Sequence, residues 1–341
     1  MRALAIVALG RPLEAVEIPD PHPAADEIVV QIEAAGICRS DVHYRSGSRP
    51  VSRLPLVPGH EVAGTIVVVG DRAGLKLGDR VCLHYLVTCG ECAACLAGAE
   101  QFCAVGEMIG LDRQGGYAEQ IVAPARNAHL IPDGVSTPAA AVMMCSSATA
   151  LHALRRADLQ PGESVAVFGA GGLGMSAVQL ARILGAATVY AVDPNPVKRR
   201  TAAGLGAVPL DAGDEAEERL LEVGGVDVAL ELVGSEAVMR SVVRVLARGG
   251  RAIAVGITHR EFGLDPYRDL VRREAEIRGS ADHLSSEIDE VLALAADGRL
   301  DLGPVITRSV PLDMFAVNRA LDDLEAFGDD VRTVIVGSDA G

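Results

Sequence analysis

The pattern of hydrophobic and polar positions differs between two parts of the chain. Residues 1 to about 145 contain short β-branched runs, such as residues 27–33, 61–69 and 79–83, separated by Gly, Pro and Asp. Short strands with closely spaced turn residues predict a β-rich, barrel-like unit.

From residue 146 to residue 278, apolar strands alternate with helical patterns. Strands are predicted at 164–168, 188–192, 226–230 and 251–255, with a helix at 174–185. This alternation is typical of βαβ units and a parallel sheet. The remaining residues predict helices at 285–296 and 314–326 and a last strand at 333–336. We therefore predict a domain at 1–145, a second at 146–278, and a closing segment at 279–341.

The first ten residues are apolar apart from Arg2 and allow two interpretations. The run from residue 3 to residue 9 could belong to a signal peptide, but it is short, and Arg11 and Glu14 follow without a small-residue cleavage site. A first β-strand is the favoured interpretation. Because no apolar run approaches the roughly 20 residues that cross a bilayer, we expect no membrane span and a cytoplasmic protein.

Charge and composition exclude several classes of partner. The chain has 31 Lys and Arg against 46 Asp and Glu, a net charge of −15. Nucleic acids and anionic membranes are bound through clustered cations, so neither is expected as a partner. Aromatic residues make up 3% of the chain, with no Trp, which disfavours base stacking on single strands.

A glycine-rich turn lies between the predicted strand at 164–168 and the helix that follows. Its glycines are Gly169, Gly171, Gly172 and Gly174. In this setting GxGxxG brings backbone N–H groups to a pyrophosphate at a helix N-terminus. Asp193 ends the next strand, where a carboxylate can bind ribose hydroxyls. We therefore predict a dinucleotide site, with an ordinary βα turn as the alternative.

Seven cysteines are spread unevenly, and four fall within one short stretch. Cys89, Cys92, Cys95 and Cys103 supply four thiolates on one loop, the donor set of a closed structural zinc site. Two disulfides or free thiols are the alternatives. The absence of a secretory signal favours metal.

Cys38, His60 and Cys145 form a second, dispersed set. Three N/S ligands can form a catalytic zinc site with one open position. Spacing alone leaves ordinary roles open: Cys145 could fill a core, and His60 could be a turn residue. Cys82 belongs to neither set and is expected in the core.

Several motifs follow one another in a fixed order along nearly the whole chain. They are Cys38-Arg39-Ser40-Asp41-Val42-His43, Gly59-His60-Glu61, the four-cysteine loop, Gly78-Asp79-Arg80-Val81, Gly115-Gly116-Tyr117-Ala118-Glu119, GxGxxG and Arg332-Thr333-Val334-Ile335. In these motifs the chain resembles the zinc-containing medium-chain alcohol dehydrogenases. The resemblance implies an α/β plus β-barrel fold: a GroES-like catalytic domain, a Rossmann coenzyme domain with a doubly wound parallel sheet, and a C-terminal segment that completes the first.

The resemblance also implies roles for individual residues. Cys38, His60 and Cys145 correspond to catalytic zinc ligands, and Glu61 to a glutamate that can approach the metal. Asp41 corresponds to a carboxylate that holds the ligand histidine, with helix capping as its alternative role. Ser40 and His43 correspond to a proton relay. Coenzyme contacts are implied for Arg39 and Arg332 at the phosphates, with plain surface cations as the alternative, and for Thr149 beside the nicotinamide, with an ordinary helix hydroxyl as the alternative. Lys198 is a further candidate for the coenzyme site. For Lys198, Arg199 and Arg200 the favoured interpretation from sequence is a solvated helix face.

These features predict an NAD-dependent, zinc-dependent oxidoreductase that interconverts an alcohol with an aldehyde or ketone, carrying two zinc ions per chain. A polyol dehydrogenase of the same family is the alternative, although that group often has Glu where this chain has Cys145. Zinc-free quinone and enoyl reductases lack the ligand set. A non-catalytic NAD-binding redox sensor is the alternative from another class. The resemblance to shorter bacterial and archaeal members implies a homotetramer.

Overall fold

A computed structural model describes residues 1–337 of the chain. The chain divides into two compact units, one of residues Met1–Cys145 with the chain from Leu284 onward, the other of residues Ser146–His283. The second boundary therefore follows residue 283, not residue 278. The last strand of the second unit's sheet ends at Gly279, the N–H of Ser280 donates to the carbonyl oxygen of Ala254, and His283 Nδ1 lies 3.2 Å from Thr149 Oγ1, so these residues belong to the second unit.

The first unit begins with nine strands and three short helices. The strands are β1 (Arg2–Ala5), β2 (Glu14–Glu17), β3 (Glu27–Ile37), β4 (Glu61–Val69), β5 (Arg80–Leu83), β6 (Leu86–Val87), β7 (Glu107–Met108), β8 (Gln120–Pro124) and β9 (Ala128–Leu130). The helices are α1 (Arg39–Ser46), α2 (Ala93–Leu96) and α3 (Thr137–Val142). The favoured interpretation of the N-terminus as a strand is confirmed, although β1 ends at Ala5.

The second unit alternates helices and strands as predicted. Its elements are α4 (Ala148–Arg156), β10 (Ser164–Phe168), α5 (Gly172–Ile183), β11 (Thr188–Val192), α6 (Pro196–Gly204), β12 (Val208–Leu210), α7 (Asp214–Glu222), β13 (Val226–Glu231), α8 (Glu236–Arg244), β14 (Leu246–Ala254) and β15 (Glu276–Gly279). The strands form one parallel sheet in the order β12-β11-β10-β13-β14-β15. This is the doubly wound order in which the winding direction reverses between the first and fourth strands.

The chain then returns to the first unit through α9 (Ser285–Ala296), β16 (Ile306–Pro311), α10 (Met314–Glu325) and β17 (Arg332–Val336). β17 pairs antiparallel with β3, so the seven-stranded sheet runs β16-β17-β3-β4-β5-β9, with β8 also paired to β3. Apolar residues of β1, β3, β4 and α10 share one buried core. β17 is thereby fixed to the strand that leads into α1.

No helix within residues 1–337 is long and apolar enough to cross a membrane.

Cys82 is fully buried on β5, as expected for a core residue.

Candidate active site and metal centres

The four clustered cysteines converge at the start of α2 and the loop that follows it. Neighbouring Sγ atoms are 3.5 Å (Cys92–Cys95), 3.6 Å (Cys103–Cys89) and 3.9 Å (Cys89–Cys95 and Cys92–Cys103) apart. Four thiolates bound tetrahedrally at 2.3 Å from one zinc ion would lie about 3.8 Å apart. The separations exclude disulfides, whose sulfurs are about 2.05 Å apart. The donor set therefore fits a structural zinc ion.

Backbone donors prepare this loop to carry negative charge. The N–H groups of Cys89 and Cys92 donate to the sulfurs of Cys103 and Cys89, both at 3.3 Å. Backbone N–H groups, first that of Cys95, lower the pKa of Cys92 to about 6, while desolvation raises the pKa of Cys95 to about 11. Since zinc binds thiolates, a lowered thiol pKa favours metal binding near neutral pH.

The dispersed ligand set also comes together. Cys38 precedes α1, His60 precedes β4, and Cys145 lies in the π-helical turn Met143–Ser147 that follows α3. Each offers a ligand atom, as does Glu61, and all four atoms lie within 4.8 Å of one another. Two thiols and an imidazole form a donor set typical of catalytic zinc. The residues present therefore fit this metal.

Charge at this cluster is shared between its members and a buried arginine. A hydrogen bond between the thiols of Cys38 and Cys145 lowers the pKa of Cys38 and raises the pKa of Cys145. Burial raises the pKa of Glu61 to about 7, while the Arg332 guanidinium, which donates to Glu61 Oε2, opposes the rise. The other oxygen, Oε1, is buried without a hydrogen-bond partner among the described residues. A Cβ at Gly36 would overlap Glu61 Oε2, so glycine leaves room for this ion pair.

Asp41 caps α1, and its carboxylate faces the imidazole of His60 without a hydrogen bond to it. Its Oδ2 accepts the backbone N–H of Cys38 at 2.9 Å, which caps α1, and its Oδ1 lies 3.5 Å from Nδ1 of His60. Because Nδ1 faces this carboxylate, Nε2 remains as the imidazole atom for a metal.

The two predicted relay residues, Ser40 and His43, both lie on the short helix α1. Ser40 Oγ is 3.8 Å from Cys38 Sγ, and His43 Nδ1 is 3.0 Å from Ser48 Oγ. Burial lowers the pKa of His43, with a further contribution from the Arg39 charge. Arg39 itself stacks on the Phe327 ring, 3.9 Å from its centroid.

The glycine-rich turn has the conformation that the motif requires. Gly169 has φ +102°, Gly171 caps α5, and a Cβ at Gly174 would overlap the carbonyl oxygen of Gly169. The helix begins at Gly172, two residues earlier than predicted, so the turn is tighter. It follows β10, one of the two strands at which the winding reverses, where open α/β sheets bind ligands.

Asp193 lies directly beside this turn. Its carboxylate accepts the backbone N–H groups of Ala170 and Asn195, both at 2.8 Å. The prediction of a solvated face at 198–200 is wrong for Lys198, while Arg199 is half-buried and Arg200 is exposed. Lys198 is 8% exposed, and Arg199 donates to the carbonyl oxygen of Asp193 and pairs with Asp211 at 2.6 Å. The Arg199 side chain thus turns back onto the residues that follow β11 instead of extending freely into solvent.

Thr149 lies on α4, with its Oγ1 3.2 Å from Nδ1 of His283.

The sequence motifs include Tyr117 but assign it no role. Its hydroxyl donates to Oδ2 of Asp41 at 2.9 Å, and the residue is fully buried. A tyrosine directly after two glycines was the available signal, because such glycines allow a ring to pack closely against backbone.

Comparison with known proteins agrees with this geometry. Residues 24–133 match the family model described as alcohol dehydrogenase GroES-like domain, and residues 172–297 match that described as zinc-binding dehydrogenase. An alcohol dehydrogenase of Geobacillus stearothermophilus is 37% identical, covering 88% of this chain and 90% of its own length. An NAD-dependent alcohol dehydrogenase of Sulfurisphaera tokodaii is 33% identical, covering 98% and 100%.

Solved structures show the same similarity in three dimensions. A thermostable alcohol dehydrogenase of Pyrobaculum aerophilum with cobalt and zinc bound has a TM-score of 0.88 and 30% identity, covering 98% of this chain and 99% of its own. A zinc-binding dehydrogenase of Sinorhizobium meliloti 1021 bound to NADP has a TM-score of 0.87 and 28% identity over 98% of both chains.

A GroES-like unit with a metal-ligand cluster, joined to a doubly wound dinucleotide-type sheet, defines a dehydrogenase architecture. The chain belongs to the zinc-containing medium-chain dehydrogenase family. It is therefore an oxidoreductase, and the predicted fold class is confirmed.

Proposed function

We propose that this enzyme transfers a hydride between an alcohol and NAD, the reverse reaction reducing an aldehyde or ketone, with one catalytic and one structural zinc ion per chain. The observation that carries the proposal is the convergence of ligand atoms from Cys38, His60 and Cys145, with Glu61 beside them, within 4.8 Å. Residues more than a hundred positions apart form this donor set.

Each part of the site has a defined task. When bound, zinc supplies a Lewis acid that lowers the pKa of an alcohol hydroxyl, as it lowers that of water from 15.7 to about 7. NAD supplies the hydride acceptor. Cys38, His60 and Cys145 hold the metal, and Asp41 orients the imidazole of His60. The buried Arg332 balances the charge of Glu61, which keeps this carboxylate beside the thiols.

The hydroxyl proton leaves through side chains on α1. Ser40, whose Oγ lies near the Cys38 sulfur, would accept it while giving up its own hydroxyl proton, and His43 would be the final acceptor that passes the proton to solvent. Since burial lowers the pKa of His43, its imidazole is neutral near pH 7 and can accept a proton. We propose that Arg39, Thr149, Lys198 and Arg332 contact the coenzyme with the glycine-rich turn and Asp193.

The function is tested by following NADH absorbance with a panel of primary, secondary and polyol substrates. Oxidation of a simple alcohol by wild-type protein, with two zinc ions per chain by elemental analysis, would support the proposal. Preference for a polyol would point to the related polyol activity. NAD binding without turnover of any substrate would identify a redox sensor instead.

We predict a preference for NAD over NADP because Asp193 lies where the adenosine ribose is expected. A 2′-phosphate placed 4 Å from its carboxylate would be repelled by roughly 4 kcal/mol at an effective dielectric of 20, before salt screening. Arg199 offsets little of this repulsion, because Asp211 already pairs with its charge. Wild type should favour NAD at least about tenfold in kcat/KM.

In Asp193→Ser most of this margin should be lost. The ratio of the two kcat/KM values is the measurement, because the hydrogen bonds from Ala170 and Asn195 affect both coenzymes alike. Asp214→Ser, which removes the same charge from an exposed position of the same unit, is the matched control. Equal use of both coenzymes by wild type would contradict the assignment.

For His43 we predict a moderate kinetic effect. His43→Ala should lower alcohol oxidation near pH 7 by about 10²-fold or less, since water can replace an acid–base group in part. The neutral imidazole is the active form, so wild-type activity should decline as pH falls through a pKa below the usual 6.5, and the variant should lack this decline. His22→Ala, at an exposed position, is the control. Identical pH–rate profiles for His43→Ala and wild type would remove His43 from the mechanism.

On the resemblance to shorter bacterial and archaeal members, we propose a cytoplasmic homotetramer acting on small molecules. Light scattering should give four times the chain mass of 35.4 kDa. A mass of twice that value would contradict the tetramer.

A further inference from the structure

The Asp41 carboxylate is held in place by groups other than the histidine it faces. Asp41 is fully buried, and its Oδ1 lies 3.5 Å from His60 Nδ1, which is longer than a good hydrogen bond. Shorter contacts come from the backbone N–H groups of Cys38, at 2.9 Å, and Gly59, at 3.3 Å, and from the Tyr117 hydroxyl at 2.9 Å. These donors therefore determine where the carboxylate sits.

The Tyr117 hydroxyl selects which carboxylate oxygen faces the imidazole. It donates to Oδ2, the oxygen that the Cys38 N–H also reaches. Rotation about the last side-chain bond of aspartate is soft and nearly two-fold, so it needs such anchors to be fixed. With Oδ2 bound by two donors, Oδ1 is left pointing at His60 and Gly59.

The same segment also fixes the backbone that precedes His60. The N–H of Tyr117 donates to the carbonyl oxygen of Pro58 at 3.0 Å, and that of Gly116 to the carbonyl oxygen of Gly59 at 2.7 Å. Gly59 has φ +95°, and a Cβ there would overlap the Tyr117 ring. Tyr117 thus contacts His60's neighbouring backbone and His60's carboxylate partner at once.

We infer that Tyr117 is a positioning residue for the catalytic zinc site: its hydroxyl orients Asp41, and Asp41 orients the imidazole of His60. The inference rests on the proposed function in so far as that function places zinc on His60. A metal ligand that can turn freely must be ordered when the metal binds, so a loss of orientation should appear as weaker metal retention.

The test measures zinc release to an excess of chelator, with no alcohol or NAD present. Tyr117→Phe keeps the ring on Gly59 and removes the hydroxyl alone. It should release the zinc held by Cys38, His60 and Cys145 about tenfold faster, the low end of the effects of such outer partners. The zinc of the four-cysteine loop should leave at the wild-type rate in every variant, which makes it an internal control.

Tyr44→Phe is the matched control variant. Tyr44 is also fully buried in the core of the first unit, but within residues 1–337 its hydroxyl donates to the Met108 sulfur alone, at 3.7 Å. It should release zinc at the wild-type rate. The visible spectrum of the cobalt-substituted protein gives a second readout, which should change in Tyr117→Phe and not in Tyr44→Phe.

A double variant separates action through Asp41 from a general packing effect. If Tyr117 acts through Asp41, Tyr117→Phe should add nothing to the faster release caused by Asp41→Asn. Release from Tyr117→Phe at the wild-type rate, or effects that multiply in the double variant, would overturn the inference. Because the assay needs no turnover, a wild type that retains this zinc but oxidises no alcohol would refute the proposed function alone.

Discussion

Replacing Cys38 with Ser should lower kcat/KM for alcohol oxidation by at least about 10³-fold while the fold persists. The loss of a thiolate ligand removes the Lewis acid, which contributes several kcal/mol to transition-state stabilisation, and each 1.36 kcal/mol is a factor of ten. Cys38 lies at the start of α1, and Asp41 keeps its capping hydrogen bond to the Cys38 backbone whatever the side chain. The melting temperature should therefore change little.

The measurements are kcat/KM, zinc content and thermal unfolding of the same preparation. Zinc should fall from two ions per chain to one. Cys82→Ala is the control, since Cys82 is a buried cysteine of the same unit that belongs to neither cluster. It should keep two zinc ions and wild-type kcat/KM. Full activity of wild-type protein with one zinc ion per chain would contradict the assignment of two sites.

Replacing Cys92 with Ser should have the opposite signature, a loss of stability with catalysis per folded molecule retained. In a site of this kind the energy of metal binding contributes to folding. We expect the free energy of unfolding to fall by several kcal/mol and the melting temperature by roughly 10 °C. Differential scanning calorimetry, with zinc content measured alongside, tests this.

The loop also offers a control for that experiment. Leu96 lies on α2 between the same cysteines and is 76% exposed, so Leu96→Ala should change stability by no more than about 0.5 kcal/mol. Wild-type protein stripped of this zinc by a chelator should have the same melting temperature as Cys92→Ser. If Cys92→Ser has lost one zinc ion but keeps the melting temperature of wild type, zinc binding by the loop contributes nothing to folding.

Local sequence signals were enough for elements whose pattern is self-contained. The strands Glu61–Val69, Ser164–Phe168 and Thr188–Val192 and the helix Ser285–Ala296 have the predicted bounds. Each is an apolar or amphipathic run with turn residues at both ends. β12 and β15 were not predicted, because both are short edge strands, three and four residues long, with mostly exposed or half-buried residues. Such strands form by pairing with a sheet that already exists.

The two metal clusters differ in the same way. The four-cysteine site was readable from sequence because its ligands lie on one loop, where spacing limits the distances between them. Cys38, His60 and Cys145 could be joined only through the resemblance to a family. Their separation along the chain says nothing about distance, and it is the pairing of β3 with β4, with α3 packed on both strands, that brings the ligands together.

The sequence by itself determined the class of fold, the glycine turn, the zinc loop and the kinds of side chain available for chemistry, because these depend on local pattern and residue type. Only the tertiary structure decided which groups share charge and orientation. In the folded chain Arg332 pairs with Glu61, and the absence of a side chain at Gly36 leaves space for this pair. Lys198 is buried, although a solvated face was expected. The Tyr117 hydroxyl donates to Asp41. Such contacts join residues that are distant in the chain, and they follow from the packing of a buried core in which most polar groups are hydrogen-bonded.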